Sequence, residues 1–214
     1  MCGKITAKAS WIRSVDTAWG EPPAEDDRIL TYRVMGNVPV IVRGEAGRCV
    51  VPMRWGFPHP QDWKRPQPVH ARGESIDSVP SFAGAFRAGQ RGIVIVQSFN
   101  EAPDSGEQHV VTPAGPVGIA FLWRQFRVAQ SHEPFFACVM VTVAANRLLA
   151  GLPTDRMPAV LAEADWEIWL NGEPEAAKAC LKTVEDLRWT MTREERARTA
   201  RRGKPTISDP AGLF

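Results

Sequence analysis

Seven short runs of strand-forming residues constrain this chain more than any other feature. They cover residues 28–34 (RILTYRV), 38–42 (VPVIV), 48–55, 92–97 (GIVIVQ), 109–112, 117–123 and 136–143. β-Branched and aromatic side chains favour extended backbone because they pack well on a pleated, half-buried surface. Gly36-Asn37 supplies a turn between the first two runs. The run 92–97 is almost wholly apolar, which predicts a central strand buried on both faces. Helix signals are fewer: 78–88, 144–149, 162–170 and 174–181. The third is the best amphipathic candidate, with Leu161, Trp166, Trp169 and Leu170 on one side and Asn171-Gly172 as its stop. The expected fold class is α+β, mainly β, around one core.

With 214 residues the chain is read as a single domain, 1–214, of which about 190–214 forms a basic C-terminal extension. The stretch 191–204 alternates arginine with glutamate and reads as a solvated helix or frayed end. Hydrophobic residues make up 44% and the formal net charge is +2, which excludes a disordered, highly charged chain. No apolar run approaches the roughly 18 residues of a membrane helix. The N-terminus MCGKITAKASW lacks a signal-peptide core, so a cytoplasmic protein is expected. Cys2, Cys49, Cys138 and Cys180 form no C-x-x-C pair and no histidines stand at ligand spacing. The expectation is free thiols, with no metal and no cofactor. Near-neutral charge does not announce nucleic acid, though a local basic groove is compatible with it.

Cys2 carries the distinctive chemistry. A small second residue normally permits removal of Met1, which leaves a cysteine with both an α-amine and a thiol. Their reference pKa values are about 8 and about 8.5. The amine attacks an aldehyde to give a Schiff base, and the thiol closes a five-membered thiazolidine. Gly3 has no Cβ, so a bulky substrate can approach the backbone. Position alone favours an ordinary residue near the start.

Further segments decide between these readings. In chain order they are Met1-Cys2-Gly3-Lys4, Tyr32-Arg33-Val34, Arg54-Trp55-Gly56-Phe57-Pro58, His70-Ala71-Arg72-Gly73-Glu74-Ser75 and Ser98-Phe99-Asn100-Glu101. Ala120-Phe121-Leu122-Trp123, Val141-Thr142 through Asn146, and Asp155-Arg156-Met157-Pro158 follow. Together these resemble the SRAP family, the SOS-response-associated peptidases or abasic-site processing proteins. The resemblance implies a mainly antiparallel β-barrel or sandwich core with a few peripheral helices and a groove for single-stranded DNA. It implies that Cys2, freed of Met1, forms a covalent thiazolidine crosslink with the aldehyde of an abasic site. It also implies a peptidase-like self-cleavage that exposes Cys2, and lyase-like chemistry at the lesion. The implied partner is single-stranded DNA with abasic sites; a monomer is the default.

Four positions make up the expected catalytic group: Cys2, Glu101, His70 and Thr154. Glu101 stands where the family has its glutamate, able to relay protons between the sugar oxygen and the α-amine. Two positions depart from the pattern. His70 replaces an asparagine, and Thr154 replaces a histidine. Threonine does not titrate near neutral pH, whereas histidine does. His70 either takes over that proton work or hydrogen-bonds the backbone as an asparagine would. The expected DNA contacts are Lys4, Arg54, Trp63, Arg72 and Arg156, with Trp63 between basic residues as a base-stacking platform. Trp55 reads as core. Two other readings use the same residues: a diverged paralogue that binds single strands without a crosslink, and an amidohydrolase that uses Cys2 on other substrates.

Overall fold

The computed structural model describes residues 2–9, 28–45, 47–58, 68–101, 107–127, 132–186 and 188–194. The strands in chain order are β1 (Lys4–Lys8), β2 (Ile29–Arg33), β3 (Asn37–Gly44), β4 (Gly47–Trp55), β5 (His70–Arg72) and β6 (Arg91–Val96). They continue as β7 (Ser98–Glu101), β8 (His109–Thr112), β9 (Val117–Arg127), β10 (Pro134–Ala144), β11 (Arg156–Pro158), β12 (Val160–Leu161) and β13 (Thr190–Arg193). The α-helices bounded within the described residues are α1 (Pro80–Arg87), α2 (Trp166–Asn171) and α3 (Pro174–Ala179). All seven expected strand runs are strands.

The larger sheet closes on itself: β10 pairs β4, β4 pairs β3, β3 pairs β6, β6 pairs β9, and β9 returns to β10. Antiparallel pairs make most of this barrel. The closing β4–β10 seam is parallel and short, joining Ala137 to Arg54 and Cys138 to Trp55. After Trp55 the chain leaves the side of β10 and returns to it as β5, which pairs parallel with β10 from Met140↔His70 to Thr142↔Arg72. The residues 156–161 fill the place where β9 and β10 part: the Ala159 N–H donates to Val141 O at 2.9 Å and the Ala120 N–H to Ala159 O at 2.9 Å. Closure removes sheet edges, and the interior is filled by apolar side chains from every strand. Trp55 is fully buried, packs edge-on to Phe121 with centroids 5.7 Å apart, and donates its indole N–H to Val69 O at 3.0 Å. Its reading as core holds.

A second, open sheet runs β13-β8-β7-β1-β2, antiparallel throughout. β6 passes into β7 through Gln97 alone, whose N–H donates to Thr6 O at 2.7 Å. One extended stretch thus serves both sheets and carries β1 against the barrel.

Two close approaches require glycine. A Cβ on Gly118 would lie 2.8 Å from the Trp166 ring, and one on Gly92 would lie 2.3 Å from Val40 Cγ1. The Trp169 indole N–H also donates to Gly92 O at 2.9 Å. Gly118→Ala should cost about 1–3 kcal/mol through overpacking. The check is a lowered denaturant midpoint at unchanged slope.

Three local expectations are corrected. Residues 144–149 form no helix. Ala144 is still strand, the Ala145 N–H donates to Asp155 O at 3.0 Å, and only a 3₁₀ turn, Leu149–Gly151, follows. Buried Asn146 is the cause: its Oδ1 accepts from the Leu149 N–H at 3.0 Å and its Nδ2 donates to Val184 O at 3.0 Å. The candidate 162–170 is a 3₁₀ turn, Glu163–Asp165, and then α2; Leu161 belongs to β12. Trp169 and Leu170 are buried as expected, and the Gly172 N–H caps the helix on Ile168 O at 2.9 Å. At 191–204, the first residues pair with β8 as β13, because that exposed edge rewards threonine-rich extended chain; the rest lies outside the described residues, as does most of the loop at 102–108. No helix among the described residues is long and apolar enough to cross a membrane.

Candidate functional site

The site forms where β1 begins. β1 is the only strand between β2 and β7, with Lys4 opposite Arg33 on one side and Asn100 on the other. The Val34 N–H donates to Gly3 O at 3.1 Å and extends this grip towards the terminus. Cys2 is therefore held beside the end of β7, where Glu101 is the last residue. Antiparallel pairing alone brings the start of one strand to the end of the other. Cys2 is 2% exposed and Glu101 1%. The Cys2 Sγ–H donates to Lys4 O at 3.4 Å.

Burial governs the electrostatics. It pushes the Glu101 carboxyl up from its ordinary value, opposed by the positive charge of the amino terminus. It drives the Cys2 thiol far up as well, and the Glu101 charge adds to this. The thiol is held protonated rather than as a preformed thiolate.

His70, the first residue of β5, reaches this place from the barrel. Its Nε2 lies 2.5 Å from Cys2 O. A carbonyl oxygen only accepts, so Nε2 carries the hydrogen. Burial pulls the His70 pKa down against the raising effect of that bond, which favours the neutral ring. Of the two readings of His70, the backbone hydrogen bond is the contact observed.

Two residues without a sequence signal complete the polar surroundings. Glu194, just after β13, pairs with the Lys4 ammonium through one oxygen. Its other oxygen accepts from Asn100 Nδ2 at 3.0 Å. Asn100 lies within a segment that carries the family resemblance, but nothing there marked it as a partner of Glu194.

Thr154 and Arg156 share a second set of contacts. The Thr154 hydroxyl donates to Arg156 O at 3.1 Å, within its own turn. Arg156 is 7% exposed and forms a two-pronged pair with Glu74, one prong at 2.7 Å, and donates to Thr142 O at 2.6 Å. The pair holds the Glu74 carboxyl below its usual range. Because Glu74 lies in the 3₁₀ turn Gly73–Ser75 that follows β5, this cluster anchors the strand that presents His70. Arg72, between them, is exposed, and Arg54 at the barrel seam is half-buried. Lys4 and Arg156 thus carry their charges in internal pairs. Trp63 lies outside the described residues.

Known proteins share this architecture. A Bordetella bronchiseptica protein of known structure is 21% identical, with 91% of this chain and 100% of that chain covered and a TM-score of 0.75. A Bacteroides thetaiotaomicron protein is 17% identical, with coverage of 91% and 93% and a TM-score of 0.74. A phage-related protein from Bordetella bronchiseptica is 18% identical, covers 91% and 95%, and has a TM-score of 0.65. At these identities the likeness is one of fold. None of the curated proteins matches the sequence. The family model for SOS response associated peptidase (SRAP) matches residues 1–196. With that match over nearly the whole chain, and with Cys2 buried beside Glu101, the chain belongs to the SOS response associated peptidase family.

Proposed function

We propose that the protein, once Met1 is removed, captures abasic sites in single-stranded DNA as a covalent thiazolidine on Cys2. Family membership gives the coarser frame, a function associated with DNA damage and DNA as partner. The observation that carries the finer reading is the buried Cys2–Glu101 pairing at the start of β1, with His70 holding the Cys2 carbonyl.

Water adds across the Met1–Cys2 peptide bond, by family-type self-cleavage or by an aminopeptidase, and releases methionine. The freed α-amine attacks the ring-opened sugar aldehyde, forming a C–N bond. Protonated Glu101 gives its proton to the departing hydroxyl, water leaves, and a protonated imine remains beside the Glu101 carboxylate. The thiol then adds to the imine carbon; the new C–S bond closes the ring, the nitrogen becomes a neutral amine, and the thiol proton returns to the Glu101 carboxylate. Aldehyde and aminothiol yield thiazolidine and one water, with no change of oxidation state. A protonated thiol suits this order, because the amine acts first. His70 fixes the main chain of Cys2, and Thr154 contributes no titratable group. Arg72 and Arg54 supply cations to the strand's phosphates. Arg156 supports the end of β5 that presents Arg72. Trp63 offers its ring to an unpaired base.

The test is intact mass spectrometry of the protein with and without single-stranded DNA bearing one abasic site. A species lacking Met1 that gains one DNA mass less one water supports the reading. Processed protein that binds the strand without an adduct overturns the covalent step and leaves a non-covalent binder.

A further inference from the structure

We infer that the Lys4 ammonium and the Asn100 carboxamide form a phosphate site for the DNA strand, which Glu194 occupies as an internal competitor in the unbound protein. The inference rests on the single-stranded DNA reading above and deepens it. Lys4 and Asn100 face each other across β1 and β7, Lys4 two residues after Cys2 and Asn100 one before Glu101. Their two donors converge on the two oxygens of one carboxylate. An ammonium and an amide N–H that hold a carboxylate so placed also match two oxygens of a phosphodiester, which carries the same single charge.

Glu194 is poised to be exchanged. It enters from beyond β13, with β8 between it and β7, and its N–H is held by Gln108 O at 2.7 Å. Its side chain is 34% exposed while that of Lys4 is 11% exposed, so the pair opens to solvent on the glutamate side. Arg33, exposed on β2 directly opposite Lys4, puts a second cation on the same sheet face. A phosphate arriving there meets two positive charges once the carboxylate swings away. The competitor weakens binding of any strand, and a lesion-bearing strand anchored at Cys2 overcomes it by proximity.

The test uses full-length protein and an undamaged single-stranded oligonucleotide, so that no crosslink is needed. Glu194→Gln should tighten binding about threefold to fivefold, the range of a partly exposed ion pair. It should steepen the slope of log affinity against log salt by about 0.7, one added phosphate contact. In a Lys4→Met background the same change should have no effect. Glu194→Ala should reproduce the gain; a merely structural role predicts weaker binding and a lower melting temperature in both variants, and either result overturns the inference. So does an equal gain in the Lys4→Met background, or no binding by any variant. If the crosslink fails while Glu194→Gln still tightens binding, the covalent reading falls and the phosphate site stands. If the crosslink forms and Glu194→Gln changes nothing, only the phosphate site falls.

Discussion

Replacing Cys2 by alanine should take the stable DNA adduct from dominant to undetectable. Both variants Cys2→Ala and Cys2→Ser keep a small second residue, so Met1 removal persists and the α-amine remains. They lose only the sulfur that closes the ring. The amine still forms an imine with the abasic aldehyde, and that imine hydrolyses. Borohydride, which reduces an imine to a stable amine, should therefore recover the adduct in both variants by intact mass. Loss of the stable adduct with retention of the trapped one assigns the first step to the amine and the second to the thiol. A stable adduct that survives in Cys2→Ala sinks the thiazolidine.

Glu101→Gln should slow crosslinking by about 10²–10⁴-fold, the usual contribution of a positioned general acid–base. The same substitution should raise the melting temperature at neutral pH. The carboxyl is buried and its folded pKa lies above the ordinary 4.5, so the folded state binds the proton more tightly than the unfolded one. That stabilisation is complete below the unfolded pKa and is lost as pH rises through the folded value. An ionised Glu101 is then a liability that glutamine removes, and the gap between variant and parent should close in acid. Rate should follow the same titration: the dehydration step needs the protonated form, so crosslinking falls as pH climbs through the raised pKa, and the glutamine variant loses that limb. Melting curves and single-turnover rates from acid to neutral pH check both. A variant with unchanged rate and unchanged melting temperature removes Glu101 from the mechanism.

Much of the fold is legible because strand formers betray themselves locally. GIVIVQ can hardly be anything but a buried strand, and β6 is one, in the barrel wall. Six strands carry no such signal: β1, β7 and β13 have five, four and four residues, and β5, β11 and β12, with three, three and two, are too short to show a period. The last three exist because β9 and β10 leave backbone groups that need partners. The missing helix at 144–149 has the same origin. Alanine and leucine favour helix there, but buried Asn146 is satisfied by Val184, far along the chain.

Cys2 announces its chemistry, since an aminothiol at the second position has reactions no internal cysteine has. His70 is visible as a titratable residue, yet only the fold shows that it grips the carbonyl of Cys2, while the Thr154 hydroxyl donates to Arg156 O. Lys4 and Arg156 are expected as DNA contacts, and the structure gives each a glutamate. Glu194 carried no signal at all, lying in an arginine–glutamate stretch that reads as solvated. The sequence by itself determined seven of the strands and the reactive group, because propensity and functional-group chemistry act within a few residues. Tertiary structure decided which carboxylate stands beside Cys2, in which direction its pKa moves, and which cations are already paired. Those depend on the register of β1 against β7 and on burial, neither of which any short stretch of chain contains.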